Sequence, residues 1–405
     1  MRALYTIALR LALPLIVLRL WWRGRREPGY REHVHERFGM YAGEKPEKAV
    51  WVHAVSVGEA RAAAPLVREL KRVLPDHAVV MTCTTAAGRQ TIEQVYGRSV
   101  VAAFLPYDYP ESVHGFLERF RPRIGVVMET ELWPNLLAHC ERRGVPVVLA
   151  NARMSEKSAE GYRRWRALTG PAIRSLAVVC AQSDADAQRL RALGATRVEV
   201  TGNLKFDATP DEAQLSAGRQ WKRTLGRPVL LLASTRDGEE KLLLEELPAG
   251  NVLTVVVPRH PQRFDEVAAL AQSRRTAQPM PGASDRIHLG DTMGEMAFYY
   301  GACDVAIIGG SFLPLGGQNL IEALAAGVPV VVGPSMFNFA EATRLALEAG
   351  AAVQLADARA AMREAAQLLA RPERRAAMSA AGRALCEAHR GATARHIEVL
   401  LRELH

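Results

Sequence analysis

Short runs of branched apolar residues alternate along the chain with longer segments of helical periodicity. Apolar runs without polar alternation are typical of strands that are buried on both faces of a parallel sheet. The pattern predicts strands over residues 49–54, 79–82, 100–105, 124–128, 147–150, 176–180 and 198–200, and then over 229–233, 253–257, 286–289, 304–308 and 330–332. Because strands alternate with helices, we predict an α/β fold with mostly parallel sheets covered by helices on both faces.

A polar segment at residues 201–214 interrupts this alternation, and we interpret it as a linker between two domains. The 405 residues are enough for two domains with separate cores. We predict an N-terminal helix over 1–26, a first Rossmann-like domain over 27–208 and a second over 209–405. The last helices are candidates for packing back on the first domain. Ligands of such sheets bind beyond the carboxyl ends of the strands.

The second half is organised around residues 307–339, which predict a strand, a glycine-rich loop, a short helix and another strand. The helix is predicted over 320–325, with Gln318 and Asn319 at its N-terminus. Glycines allow a ligand to approach the backbone closely, and a helix N-terminus favours an anion. Glu322 lies one turn after Asn319 and can face the same ligand. The alternative is an ordinary βαβ unit whose glycines only form turns.

Acidic residues follow two predicted strands of the first half. Glu59 could accept a proton from a substrate hydroxyl, or could be a first-turn acid that the helix dipole favours. Glu129 and Glu131 point to the same side if the chain stays extended. They could stabilise charge or bind sugar hydroxyls, or form a loop salt bridge. Lys205, in the linker, could neutralise a substrate carboxylate or phosphate, or could be a solvated lysine.

Two polar segments follow strands of the second half. Arg259 comes after a valine-rich strand, and its forked donors suit a phosphate, whereas we interpret His260 as a hydrogen-bonded loop residue. Residues 292–295 offer backbone groups and the Glu295 carboxylate to a base or a ribose. A plain turn before a helix explains this second segment equally well.

The N-terminus carries a membrane signal, since residues 3–22 are largely apolar. Three residues within the run make it a poor free-standing transmembrane helix: Arg10, Pro14 and Arg19. Aromatic and basic residues that suit the headgroup region follow: Trp21, Trp22, Arg23, Arg25 and Arg26. We predict a helix anchored in the cytoplasmic face of a membrane. A signal peptide is the alternative, although no small-residue cleavage site follows the run.

The net charge of +9 suits nucleic acid, an anionic membrane or a phosphorylated substrate. No nucleic-acid-binding motif occurs and only 6% of residues are aromatic, so nucleic acid is not an expected partner. The five cysteines form no CxxC pair, which favours reduced thiols and no structural zinc. There is no HExxH and no clustered His/Cys set, and we interpret Asp184 and Asp186 as the start of a helix, so no metal is expected. The sequence also lacks P-loop and GxSxG patterns.

Six segments together resemble the transferases of 3-deoxy-D-manno-octulosonic acid (Kdo). The segments are 51–59 (WVHAVSVGE), 128–135 (METELWPN), 151–155 (NARMS), 202–207 (GNLKFD), 258–261 (PRHP) and 309–339. The resemblance covers nearly the whole chain. Enzymes of that family move Kdo from CMP-Kdo onto the lipid A precursor, lipid IVA, at the inner face of the inner membrane. The resemblance therefore implies a GT-B glycosyltransferase, with two Rossmann-like domains facing a cleft, an acceptor domain first and a CMP-sugar domain second.

The resemblance also implies roles for particular residues. Glu59 matches the general base of an inverting transfer, and Glu129 and Lys205 match residues assigned to transition-state stabilisation. The positions that match CMP-binding residues are Pro258, Arg259, Met293, Gly294, Glu295, Asn319, Leu320, Ile321 and Glu322. CMP leaves as a monophosphate ester, so no metal or other cofactor is expected. The alternatives are another GT-B glycosyltransferase or an epimerase that uses a UDP-sugar, and a non-catalytic nucleotide-binding module at the membrane.

Overall fold

The computed structural model describes residues 1–43 and 45–404 and divides into two compact units. The first unit comprises Met1–Asp207 and Gly391–His405, and the second comprises Ala208–Arg390. Glu44 and His405, which fall inside the predicted domains, lie outside the described residues. Within the described ranges each unit contains one seven-stranded sheet with parallel pairing. The predicted α/β class with two domains is confirmed.

The sheet of the first unit has the strand order β3-β2-β1-β4-β5-β6-β7. Its strands are β1 (Ala49–His53), β2 (Ala78–Cys83), β3 (Val101–Phe104), β4 (Pro122–Met128), β5 (Val147–Ala152), β6 (Val178–Ala181) and β7 (Val198–Val200). The helices that precede and connect them are α1 (Arg2–Arg26), α2 (Val57–Ala62), α3 (Ala64–Val73), α4 (Ala86–Tyr96), α5 (Pro110–Phe120), α6 (Pro134–Arg142), α7 (Glu156–Arg164), α8 (Arg166–Arg174) and α9 (Asp184–Ala192).

The sheet of the second unit has the order β10-β11-β9-β8-β12-β13-β14. Its strands are β8 (Val229–Thr235), β9 (Leu253–Pro258), β10 (Ser273–Arg274), β11 (Ile287–Leu289), β12 (Val305–Ile308), β13 (Val330–Val332) and β14 (Ala352–Gln354). Its helices are α10 (Glu212–Leu225), α11 (Glu239–Leu244), α12 (Phe264–Ala268), α13 (Met296–Ala302), α14 (Ile321–Ala325), α15 (Ala340–Glu348), α16 (Ala358–Ala370) and α17 (Pro372–Ala388). The final helix, α18 (Ala392–Leu404), belongs to the first unit.

Burial on both faces explains why the central strands read as unbroken apolar runs. All five residues of β1 are buried. Val50 and Val52 pack into one hydrophobic cluster, whereas Trp51 packs into the cluster on the other face. A Cβ on Gly125 of the neighbouring strand would lie 2.6 Å from the Trp51 ring, so only glycine leaves room for the indole there.

Several predicted bounds were wrong for identifiable reasons. The edge strands β10 and β14 were missed because they are two and three residues long and carry little apolar signal. The single helix predicted after β1 is two helices, because Pro65 in the first turn of α3 starts a new helix. The predicted linker at 201–214 contains a 3-10 helix, Leu204–Asp207, whose Leu204 and Phe206 side chains are buried. Its polar composition concealed these two anchoring side chains.

The first helix, α1, exposes most of its apolar side chains. It is long and apolar enough to cross a membrane by length and composition. The exposed apolar residues include Leu4, Ile7, Leu11, Leu15, Leu18, Trp21 and Trp22. A few polar contacts attach the helix to the first unit, among them Thr6 Oγ1 with Asn135 (3.3 Å) and the Tyr109 hydroxyl with the Leu9 carbonyl (2.8 Å). The helix could therefore anchor the protein to a membrane by its exposed side.

The last helix, α18, is held against the first unit by hydrogen bonds to residues far away in sequence. The carboxylate of Asp207 accepts from the Gly391 N–H (2.7 Å) and from the Thr393 N–H, so it caps the N-terminus of α18 from across the chain. His396 Nε2 accepts from the Asn151 N–H (2.9 Å). These contacts connect the end of the chain to the segment that carries Lys205.

We predict that Asp207→Ala destabilises the first unit by about 2 kcal/mol, because two N–H groups lose a charged acceptor. Urea unfolding of the full chain measures the change. Asp211→Ala is the matched control, since Asp211 caps α10 through one hydrogen bond to the Gln214 N–H (3.0 Å), and it should cost about 1 kcal/mol. Equal losses in the two variants would contradict the role of Asp207 in holding α18.

Candidate active site

Glu59 lies at the carboxyl edge of the first sheet, where β1 turns into α2. Ser56 is the N-cap of α2, and its Oγ accepts from the Glu59 N–H (3.3 Å). The Glu59 carboxylate reaches back and accepts from the Ser56 hydroxyl (3.0 Å) and the Val55 N–H (2.9 Å). This reciprocal capping arrangement fixes the carboxylate in one orientation at the half-buried edge.

The surroundings of Glu59 make its carboxyl group a weaker acid than usual. Burial and then the nearby Glu129 carboxylate raise the pKa of Glu59 to about 7, against the hydrogen bonds from Val55 and Ser56 that lower it. The Glu131 carboxylate raises it further, and burial also raises the pKa of Glu131 itself. A carboxyl group with a pKa near neutrality can exchange a proton with a substrate at physiological pH.

Glu129 and Lys205 form an ion pair at the same edge. Lys205 Nζ lies 3.1 Å from Glu129 Oε1, and both side chains are largely buried. Glu129 has a φ of 60°, in the left-handed region, because it follows the end of β4 and its N–H donates to the Ala150 carbonyl. The chain is therefore not extended from Glu129 to Glu131, and the premise for placing the two acids on one side was wrong. Both carboxylates nevertheless act on Glu59.

Asn151 and His396 support this edge; the sequence analysis quoted the segment 151–155 but assigned no role to Asn151 and did not name His396. Asn151 also adopts a left-handed conformation (φ 52°), and its Oδ1 accepts from the Leu204 N–H (3.0 Å), next to Lys205. Its own N–H donates to His396, whose pKa burial lowers to about 4. Asn151 is a polar residue near the end of β5, which is a signal in the sequence, but only the fold brings His396 to it.

The glycine loop of the second unit is held by a buried carboxylate, Glu239. Its Oε2 accepts from the N–H groups of Arg236 (2.9 Å) and Gly310, and its Oε1 accepts from the Phe312 N–H (3.0 Å). The side chain is fully buried. The loop after β12 is therefore fixed to the loop after β8. Sequence reasoning missed Glu239, although it stands in a polar run directly after a predicted strand.

Arginines cluster where β8 and β9 end. The Arg259 N–H donates to the Thr235 carbonyl (2.9 Å). Burial, and then Arg236, Arg259 and Arg263 in turn, lower the pKa of His260, which places these cations close to one imidazole. Arg263 pairs with Glu240 (2.6 Å), but none of the ion pairs among residues 1–43 and 45–404 includes Arg236. Arg236 is thus a candidate anion-binding residue that the sequence analysis did not single out.

The segment with Met293, Gly294 and Glu295 follows β11, the neighbour of β9. Two nitrogens of Arg275 donate to Glu295 (2.7 and 3.0 Å), and this hydrogen bonding holds the pKa of Glu295 below its usual range. Met293 is half exposed, and the Gly294 carbonyl accepts from Gln214 Nε2 (3.1 Å). The carboxylate is therefore oriented and ionised, as a group that binds ribose hydroxyls would need to be.

The segment of Asn319, Leu320, Ile321 and Glu322 differs from the prediction in detail. The helix α14 begins at Ile321 and has only five residues, with Leu320 as its N-cap. Asn319 Oδ1 accepts from the Ile321 N–H (3.1 Å), and its Nδ2 donates to Glu322 (2.9 Å). The predicted helix N-terminus at Gln318 and Asn319 was thus placed too early. The Asn319 side chain accepts a hydrogen bond from the Ile321 N–H, which is therefore not available to a ligand.

A group of potential metal ligands lies outside these two edges, where the sequence analysis expected no clustered set. Ligand atoms of His33, His35 and Glu36 lie within 4.8 Å of one another. The Glu36 carboxylate, however, is already bound by Arg89 (2.6 Å) and by the Phe104 N–H (2.7 Å). A cation there would have to compete with the largely buried Arg89, so the donor set does not fit a metal well.

Comparisons with known proteins identify the family of the chain. A family model described as 3-deoxy-D-manno-octulosonic-acid transferase (kdotransferase) matches residues 32–208. A 3-deoxy-D-manno-octulosonic acid transferase of Bordetella pertussis is 48% identical and covers 98% of both chains. One from Haemophilus influenzae is 35% identical over 91% of this chain and 90% of its own.

A solved structure supports the fold as well. UDP-GlcNAc 2-epimerase from Neisseria meningitidis, bound to UDP-GlcNAc, aligns with a TM-score of 0.59 at 16% identity, over 88% of this chain and 100% of that one. At this identity the similarity concerns the fold alone, and it agrees with the predicted GT-B class.

We predict that Glu239→Gln lowers the stability of the second unit by about 3 kcal/mol, because an amide cannot accept all of the hydrogen bonds that the buried carboxylate accepts. Calorimetry measures the change, and hydrogen exchange should show faster exchange at the Gly310 and Phe312 amides. Glu266→Gln is the control, since Glu266 pairs with Arg263 at the surface, and its substitution should leave both readouts unchanged. If the Gly310 amide is equally protected in Glu239→Gln, Glu239 does not hold the glycine loop in place.

Proposed function

Because the chain belongs to the Kdo transferase family, we propose that it transfers Kdo from CMP-Kdo to lipid IVA with inversion at the anomeric carbon. The protein is a glycosyltransferase of lipopolysaccharide core synthesis. The donor, the acceptor and the residue roles are the further content of the proposal. The observation that carries it is the fixed Glu59 carboxyl, with a pKa raised to about 7, at the edge where Glu129 pairs with Lys205.

In this mechanism Glu59 is the general base. Its ionised carboxylate takes the proton of an acceptor sugar hydroxyl as the oxygen attacks the anomeric carbon of Kdo. The new carbon–oxygen bond forms as the bond from the anomeric carbon to the phosphate oxygen breaks, and CMP takes the electron pair. Attack from the side opposite CMP gives inversion. The hydrogen bonds from Val55 and Ser56 keep the carboxylate aimed while it exchanges the proton.

Lys205 and Glu129 stabilise the charges of the transition state. The carbohydrate ring becomes electron-deficient as CMP leaves, which a carboxylate such as that of Glu129 stabilises, and Lys205 can neutralise the carboxylate of Kdo. Their ion pair holds both groups in place before substrate binds, so little reorganisation is needed. Lys205 and Glu129 can both be charged in the absence of substrate because each neutralises the charge of the other.

The second unit binds the CMP portion of the donor. Arg259 and Arg236, at the ends of β9 and β8, suit the phosphate, whose negative charge grows as it departs. Glu295 and Glu322 can accept hydrogen bonds from ribose hydroxyls or from the amino group of cytosine. The backbone at Pro258, Met293, Gly294, Leu320 and Ile321 frames the nucleoside. Because a monophosphate ester leaves, the arginines supply the compensating charge, and we propose that no metal is required.

The place of action is the cytoplasmic face of the inner membrane. The exposed apolar side of α1 suits the acyl region, while Trp21, Trp22, Arg23 and Arg25 suit the headgroups. Anchoring keeps the enzyme beside an acceptor that is itself a membrane lipid. The positive net charge favours the same anionic surface.

The deciding experiment incubates the purified full chain, in detergent, with CMP-Kdo and lipid IVA and identifies the product by mass. We expect lipid IVA that carries Kdo, together with an equivalent amount of CMP for each Kdo transferred. The same rate is expected after dialysis against a chelator. Transfer from UDP-GlcNAc, or its epimerisation, in place of Kdo transfer would overturn the proposal. A rate that requires added magnesium would overturn only the metal-independent mechanism.

We predict that kcat/KM rises with pH through an apparent pKa near 7, because Glu59 must be ionised to act as base. Glu59→Gln should lose about 100- to 10,000-fold in kcat. In Glu129→Gln the residual activity should show a lower apparent pKa, since a like charge that raises the pKa of Glu59 is removed. Glu131→Gln is the control, with a smaller shift in the same direction. An acidic limb at the same pH in Glu59→Gln would remove this residue from the role.

A further inference from the structure

The second unit contains a cavity of about 570 Å³ at the edge of its sheet opposite the candidate site. Three of its lining residues directly precede or closely approach the starts of strands: Pro228 before β8, Asp304 before β12 and Val328 before β13. The strands are parallel, so this edge is separated from the loops at the carboxyl ends by the length of β8, about 20 Å. The cavity is therefore distinct from the nucleotide-binding residues described above.

The cavity wall is strongly basic. Its basic lining residues are Arg219, Lys222, Arg223, Arg227 and Arg375, and Asp304 is the single acid among the described residues that line it. Asp304 is fully engaged, since it pairs with Lys222, lies 3.9 Å from Arg375 and accepts from the Val229 N–H (2.9 Å). Arg219 pairs with Glu212, which lies outside the lining. The wall therefore keeps a surplus of positive charge.

Arg227 carries that surplus in a buried position. Arg227 is only 9% exposed. Its Nη atoms donate to the neutral oxygens of Asn251 (3.0 Å), Ala283 (3.1 Å) and Gly282 (3.0 Å). Its Nε is buried and has no hydrogen-bond partner. The Asp285 carboxylate attracts Arg227 electrostatically without contacting it, and it accepts a hydrogen bond from the Gly282 N–H (2.8 Å). The three hydrogen bonds to neutral oxygens hold the guanidinium in place, and its positive charge adds to the potential of the cavity wall.

Arg223 provides a second uncompensated cation, on the open side of the cavity. It is exposed, and none of the ion pairs in the described part of the chain includes it. Both Arg223 and the neighbouring Lys222 of α10 line the cavity, and Lys222 pairs with Asp304. A buried and an exposed guanidinium therefore line the same space, and both add to its positive potential.

We propose that this cavity is a second anion site, which binds a phosphorylated group such as a pyrophosphate or a phospholipid headgroup. Guanidinium forks match phosphate oxygens, and five basic side chains line this open depression. Arg375 Nη1 donates to the Leu368 carbonyl (2.8 Å) and the Leu369 carbonyl, so it contributes mainly positive charge, and the exposed Arg223 is the donor that can contact a phosphate directly. A ligand in this cavity would bind the second unit at the end of the sheet opposite the residues proposed to bind CMP.

The test compares the full-length wild type with Arg223→Glu and with Arg363→Glu. Arg363 is an exposed arginine on α16 outside the cavity, so both variants change the net charge equally. In one arm, calorimetry follows the titration of sodium pyrophosphate, with saturating CMP present to occupy the opposite edge. In the other arm, sedimentation measures binding to vesicles of phosphatidylglycerol and phosphatidylcholine, again with CMP.

We expect Arg223→Glu to weaken binding by about tenfold in at least one arm, because a phosphate loses a charged donor and meets an acid. Arg363→Glu should change binding by less than about twofold, and Arg223→Lys should retain most of the affinity. A selective loss with pyrophosphate identifies a soluble phosphate as the ligand, and a selective loss with vesicles identifies the lipid headgroup. If Arg223→Glu and Arg363→Glu behave alike in both arms, the cavity is not an anion site.

Discussion

The ion pair between Lys205 and Glu129 is the interaction on which the candidate active-site edge of the first unit depends. Its partners come from a 3-10 helix after β7 and from the turn after β4, and both are largely buried. In such a pair, desolvation offsets most of the electrostatic attraction, so the pair adds little net stability. Removing one partner, however, leaves an uncompensated charge and costs about 3–5 kcal/mol. The two groups therefore constrain each other's position, and the geometry of each depends on the other.

This constraint extends to the end of the chain. Asn151 binds the backbone beside Lys205 and is itself bound by His396 of α18, while Asp207 caps the same helix. Burial lowers the pKa of His396 to about 4, so the ring is neutral at pH 7 and Nε2 can accept a hydrogen bond. Since the folded pKa is below the unfolded one, this contribution to stability is present above about pH 6.5 and is lost as pH falls toward 4. The final helix is thus part of the support of Lys205.

The sequence was informative where burial alone decides structure. Unbroken apolar runs such as those of β1 and β12 predict buried parallel strands, and the polar residues that follow them, including Glu59 and Arg259, could be selected because ligands bind at that edge. The short polar strand β10 has no such signal. Glu129 in a left-handed conformation could not be predicted, because asparagine and glycine are the residues that favour it. The contact of Glu239 with Gly310 joins loops 71 residues apart and follows only from the sheet order.

Glu59 shows that a structural role as a helix-capping acid and a proposed role as a general base need not exclude each other. The first-turn acid and the general base were alternatives in the sequence, yet the same carboxylate accepts from the Val55 N–H and the Ser56 hydroxyl at the start of α2 and has its pKa raised to about 7. Two hydrogen bonds favour the ionised form, but burial and the neighbouring carboxylates outweigh them. A solvated capping glutamate would stay fully ionised at pH 7 and would be a weaker base. Placing the cap at a buried edge beside Glu129 converts a common helix-capping residue into a group that can both bind and release a proton.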